Sequence, residues 1–112
     1  MSDPHLSHAL ELEELQRSPD GAGGFAETWV RLGTVWADIR AGAGRERADQ
    51  TRPQSVQSLI VTVRGAQRAS PRRPRPDQRF RAGARIIAIE AVAEGDPMGR
   101  YLVCRCVEEV GT

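Results

Sequence analysis

The stretch that decides the fold runs Pro76-Asp-Gln-Arg-Phe-Arg-Ala-Gly-Ala-Arg-Ile-Ile-Ala-Ile-Glu-Ala-Val92. It continues through Glu94-Gly-Asp-Pro-Met-Gly99 into Arg100-Tyr-Leu-Val-Cys-Arg-Cys-Val107. Two runs rich in β-branched and aliphatic residues flank a tight Gly/Pro connection, the pattern of a β-hairpin. Within it, Ile87 and Ile89 fall in phase on one arm over residues 84–110, and Leu102, Cys104 and Cys106 on the other. A strand alternates its faces with period two, so each set marks one inward face.

Working outward, the same alternation recurs upstream. Leu59, Val61 and Val63 share a face within Gln54 to Arg64, opposed by Ile60 and Thr62. Glu27 to Arg40 forms a longer strand with a possible interruption at Gly33; it puts Val35, Ala37 and Ile39 on one face and Trp36, Asp38 and Arg40 on the other. His8 to Gln16 alternates at Leu10 and Leu12 and slips phase at Leu15, which a bulged strand explains and an acidic helix would also accommodate. Between these runs, Ser18 to Gly24 is a turn by composition. Five strands result. Short strands, Gly/Pro turns and little helix predict an all-β fold, a small antiparallel barrel or sandwich with long loops and at most a short helix.

With 112 residues the chain makes one domain, since domains commonly span roughly 100–150 residues. Residues 1–7 read as a flexible N-terminus and 8–110 as the barrel domain, with loops at 41–53 and 65–78. A chain this short buries only about 65% of its unfolded surface, so self-association is a natural source of further burial. No apolar run approaches the roughly 20 residues of a membrane span. Met1-Ser-Asp-Pro-His5 lacks the basic and apolar regions of a signal peptide, so a soluble protein of the cytoplasm is expected.

Charge is balanced in total, +1, but not along the chain. Residues 1–30 carry six acidic groups against Arg17, whereas residues 64–85 carry eight arginines against Asp77. Every basic residue is arginine, whose planar fork pairs bidentately with carboxylate or phosphate. The arginines gather in the loop Gly65 to Asp77, where three prolines forbid a central strand and favour an extended, mobile path. Arg68, Arg72, Arg73, Arg75, Arg79 and Arg81 are therefore the candidate contact residues for a partner protein or DNA phosphates, against the plainer reading of a solvated loop. In the other loop, Arg45 to Gln50 has room for a turn or two of helix before Pro53. Its Arg45, Glu46, Arg47 and Arg52 are candidates for a ring or lumen contact, with a plain surface loop as the alternative.

Enzymatic chemistry finds no support. No Ser/His/Asp set is spaced interpretably, and both histidines lie in the first eight residues. Gly21-Ala-Gly-Gly24 sits in a turn rather than before a helix, so no phosphate-cradling loop forms. Cys104 and Cys106 alternate on one strand, a poor geometry for a disulfide and a weak metal site, and read as small core residues. Neither cofactor nor metal is implied.

The order of these features resembles the phage head–tail joining family, the small head-closure or stopper proteins of long-tailed phages and phage-derived particles such as gene transfer agents. The resemblance runs over about residues 8–108. It rests on the first strand, the turn Asp20–Gly24, Glu27-Thr28-Trp29, Val35-Trp36-Ala37-Asp38-Ile39, the Gly44-Arg45-Glu46 step, Leu59–Arg64, and Arg79-Phe80-Arg81 through Ile86–Val92 to Tyr101–Cys106. Two stretches depart from it: the acidic start and the arginine-rich Arg72–Arg75 run. The resemblance implies a barrel assembling into a homo-oligomeric ring at the particle's neck. The portal or adaptor would lie on the head side, a tail terminator or tail tube protein on the tail side, and double-stranded DNA in the channel, with no membrane involved. An acidic and a basic segment on one subunit also suit heterologous pairing with a neighbour. The rival reading is a nucleic-acid-binding barrel of the OB or Sm-like kind, using the same arginines with aromatics as stacking platforms; against it, only Phe25, Trp29, Trp36, Phe80 and Tyr101 are aromatic, and Trp29 and Phe80 read as core residues.

Overall fold

A computed structural model describes residues 4–42 and 55–110. Six antiparallel strands form one closed barrel: β1 His8–Pro19, β2 Phe25–Ala41, β3 Ser55–Arg64, β4 Arg79–Ala82, β5 Arg85–Glu94 and β6 Tyr101–Val110. Around the barrel the order is β1-β2-β3-β6-β5-β4, with β4 closing onto β1. No helix occurs among the described residues, and none there is long and apolar enough to cross a membrane.

The alternating positions point inward as their period requires. Leu10, Leu12, Ala37, Leu59, Val61, Val63, Phe80, Ile87, Ile89, Leu102, Cys104 and Cys106 form one buried cluster that fills the barrel. Both cysteines are free thiols within it. Burial raises the Cys104 thiol to about 12 and pushes Cys106 up as well, which favours the protonated thiol of both at neutral pH.

One strand escaped the sequence reading. β4 is only four residues long and places a single side chain, Phe80, in the core, yet it is the strand that closes the barrel. The bulge expected in the first strand lies instead in its partner, where the β1–β2 register shifts between Leu12 and Glu13. The extra residue, Leu32, belongs to β2: Leu12 faces Gly33 and Glu13 faces Arg31.

The β1–β2 hairpin outruns the barrel. β4 pairs with β1 only at Glu11 to Glu13, and β3 pairs with β2 only at Ala37 to Ala41. Beyond those limits, Glu14–Pro19 and Phe25–Val30 pair with each other alone and project as a two-stranded ribbon. The ribbon is fixed at its tip by Asp20, whose carboxylate accepts hydrogen bonds from the Ala22 and Gly24 amides at 2.8 and 3.0 Å. These bonds hold that carboxyl below the usual carboxylate range, and Gly21 and Gly23 supply the positive φ the turn needs.

Candidate functional site

The connection from β3 to β4 differs from every other. All remaining consecutive strands are neighbours in the barrel, whereas β3 and β4 stand on opposite sides of it. The arginine/proline segment 65–78 must therefore cross one mouth of the barrel. In place of the expected extended path it makes a series of turns, with Ser70, Arg73 and Gln78 amides donating to Gln67, Ser70 and Arg75 carbonyls. Pro74 is fully buried. The segment is pinned at both ends. The Gly65 amide donates to the Arg100 carbonyl at 2.7 Å, and Asp77 and Gln78 exchange backbone bonds with Ile89. At Gly65 any side chain would run into the Gly99 carbonyl oxygen, so only glycine fits this crossing.

The arginines singled out in the sequence divide into two groups. Arg73 folds back, its Nη1 donating to the Ala66 carbonyl at 3.0 Å. Arg75 does the same through Nη2 to the Arg68 and Ser70 carbonyls at 2.6 and 3.3 Å. Arg79 and Arg81, on β4, converge on Glu13, whose side chain is 7% exposed: Arg79 Nε at 2.7 Å and Arg81 Nη1 at 3.7 Å. Gln78 reaches Glu14 at 3.1 Å. Part of the acidic first strand is thus already matched by the basic segment of its own chain. These four arginines hold the cap and the closing strand in place.

Arg68 and Arg72 form the second group. Both are exposed, and neither guanidinium has a partner among the described residues. Arg72 lines a shallow notch of about 360 Å³ with Leu6, Trp36, Arg64 and Gly65. Trp36 is 56% exposed there, on the outer face as its position in the alternation implied, and the Arg64 guanidinium likewise has no partner among the described residues. Sequence reading missed this notch; a tryptophan on the outward phase of β2 was the available signal. Arg45, Glu46, Arg47 and Arg52 lie outside the described residues, as does the helical turn expected at 45–50.

Trp29 corrects another expectation. It is not a core residue: it stands half-buried at the base of the ribbon with the Arg79 guanidinium 4.0 Å from its ring centre. Phe80, by contrast, is in the core as expected. Among the described residues no group of His, Cys, Asp and Glu could hold a metal ion.

Comparison with known proteins decides the family. The phage head completion protein family model matches residues 1–109. The chain belongs to the phage head completion protein family. A chain in a solved structure described as the virion of a native gene transfer agent particle is 47% identical, with a TM-score of 0.85, covering 98% of this chain and 100% of that one. Among curated proteins there is no significant match. As a phage head completion protein, the chain falls in a class of structural particle components rather than of enzymes. Its barrel is then a scaffold, and its chemistry is that of surfaces that meet other proteins.

Proposed function

We propose that this head completion protein forms a ring at the neck of a gene-transfer-agent-like or phage particle, between the portal–adaptor complex and the tail, and helps retain packaged DNA. The observation that carries the reading is the 47% identity, over nearly the full length of both chains, to a chain of a gene transfer agent virion. The geometry supports it. The barrel is closed and one mouth is capped, and on the outside Arg64 and Arg72 line one notch with the exposed Trp36. Tryptophan and arginine are the residues that most often dominate protein–protein contacts.

Within this reading, Arg68, Arg72 and Arg64 meet an acidic surface of the portal or adaptor, or DNA phosphates in the channel, while Arg73, Arg75, Arg79 and Arg81 shape the cap that presents them. Arg45, Glu46, Arg47 and Arg52 belong to the loop offered to the ring or its lumen. Loss of the gene is expected to leave heads that do not join tails and whose DNA is open to nuclease; normal tailed particles with protected DNA would refute the reading. Replacing Arg68 and Arg72 together with Ser should lower particle yield at least tenfold and leave the melting temperature of the isolated protein unchanged. Salt-dependent binding of the isolated protein to single-stranded nucleic acid, with no role in particles, would instead favour the small nucleic-acid-binding barrel.

A further inference from the structure

The ribbon tip and the groove at the ribbon's base are complementary surfaces on one molecule. By the register of the hairpin, Leu15 and Trp29, Arg17 and Glu27, and Pro19 and Phe25 are facing pairs two residues apart, so all six share one face. Arg79 stacks on Trp29 of this face. At the tip, Phe25 is 62% exposed, with the Arg17 guanidinium 5.0 Å from its ring centre. Among the described residues Arg17 has one other charge partner, Glu27 at 3.7 Å, with both side chains more than half exposed. The tip therefore presents an exposed aromatic ring with a cation beside it, and beyond Glu27 no described residue is paired with either.

The groove has the opposite character. It holds about 540 Å³ between Trp29 and Arg79 on one side and Ile86 and Ala88 on β5, with Asp77 and Glu90 also lining it. Ala88 sits beside Arg79 in the β4–β5 register and is exposed. The Asp77 carboxylate is exposed and has no partner among the described residues. An apolar floor with a free carboxylate matches a phenyl ring with a guanidinium. Phe25 cannot fill its own groove: four strand residues, about 13 Å, separate it from Trp29 along a paired ribbon.

We propose that Phe25 and Arg17 of one copy seat in the Trp29–Ala88 groove of a second copy, with Arg17 meeting Asp77. Knob and recess occur once per subunit, so every subunit gives one contact and receives one. Such a heterologous contact leaves no half unfilled when the rotation closes into a ring. The contact rests on the neck-ring reading above and specifies its subunit interface.

The test is an engineered disulfide in assembled particles, pairing Pro19→Cys, which faces Phe25 at the tip and leaves the ring in place, with Ala88→Cys, both exposed positions. Oxidation is expected to give a ladder of multimers of this chain, absent from the Ala88→Cys single variant. Particles that contain the protein yet yield only monomer, or a cross-link from position 19 to a different particle protein, overturn the contact and leave the neck reading standing. Absence of the wild-type protein from particles overturns both. Phe25→Ser gives a second readout: the isolated protein should melt as wild type while its incorporation into particles falls at least tenfold, and unchanged incorporation refutes the contact.

Discussion

The barrel wall and the projecting ribbon are made from the same two strands, yet they follow different rules. On the barrel side of the register shift, Leu10, Leu12 and Ala37 are buried, because β3 and β4 close over the strands' edges and curl the sheet around them. Past Glu14 and before Val30 the sheet has only two strands and no interior. Leu15 and Phe25 then stand exposed although their residue types are those of a core. Burial is decided by where neighbouring strands stop, not by the hydrophobicity of the strand itself. A bare two-stranded ribbon is marginal alone, so the barrel anchors it and its free face is available for assembly.

The contrast can be broken most sharply at the level of thiols. Cys104 in the wall, raised from 9.0 to about 12, should be alkylated at pH 8 roughly a thousandfold more slowly than a cysteine placed at Phe25 on the ribbon. Equal rates in the folded protein would mean the barrel is open. The next largest effect is expected at the junction. Arg79→Ala leaves buried Glu13 with only the longer Arg81 contact at 3.7 Å and should cost about 3 kcal/mol in chemical denaturation, with the ribbon losing its Trp29 contact as well. Gly65→Ala forces the cap away from the Gly99–Arg100 backbone and should cost about 2–3 kcal/mol.

A smaller effect is expected in acid. Hydrogen bonding from Arg85 holds the Glu108 carboxyl below its usual range. A depressed carboxylate stabilises the fold above its unfolded value, near pH 4, and that contribution fades as the pH falls through the folded value. Arg85 is nearly half exposed, so the loss should stay below about 1 kcal/mol and vanish in Arg85→Ala. Smallest of all, Leu15→Ser or Phe25→Ser should shift the stability of the isolated chain by less than about 0.5 kcal/mol. A larger loss there would show that the ribbon is part of the core.

Much of the wall was legible in the sequence because period-two alternation reports one face directly: Leu59-x-Val61-x-Val63 and Leu102-x-Cys104-x-Cys106 face inward as written. β4 was not, since Arg79-Phe-Arg-Ala82 is too short and too charged to show a period. The placement of segment 65–78 was equally hidden. It depends on β3 pairing with β6 rather than with β4, a non-local fact, and that pairing turns a loop expected to be mobile into a crossing strap. The same non-local closure sorts the arginines. Arg79 and Arg81 looked like contact residues until β4 was set beside Glu13, and of the six arginines singled out only Arg68 and Arg72 have guanidinium groups with no partner among the described residues. Trp29 was misread for the same reason, its burial depending on where β3 and β4 end.

The most direct measurement is a reconstruction of the particle's neck by electron microscopy at side-chain resolution. The account predicts a closed ring of this chain between portal and tail, with Phe25 of each subunit in the Trp29–Ala88 groove of the next and Arg68 and Arg72 turned toward a partner protein or the DNA channel. A chain located in the capsid shell or tail tip, or a neck ring whose ribbons touch no neighbouring subunit, would contradict it.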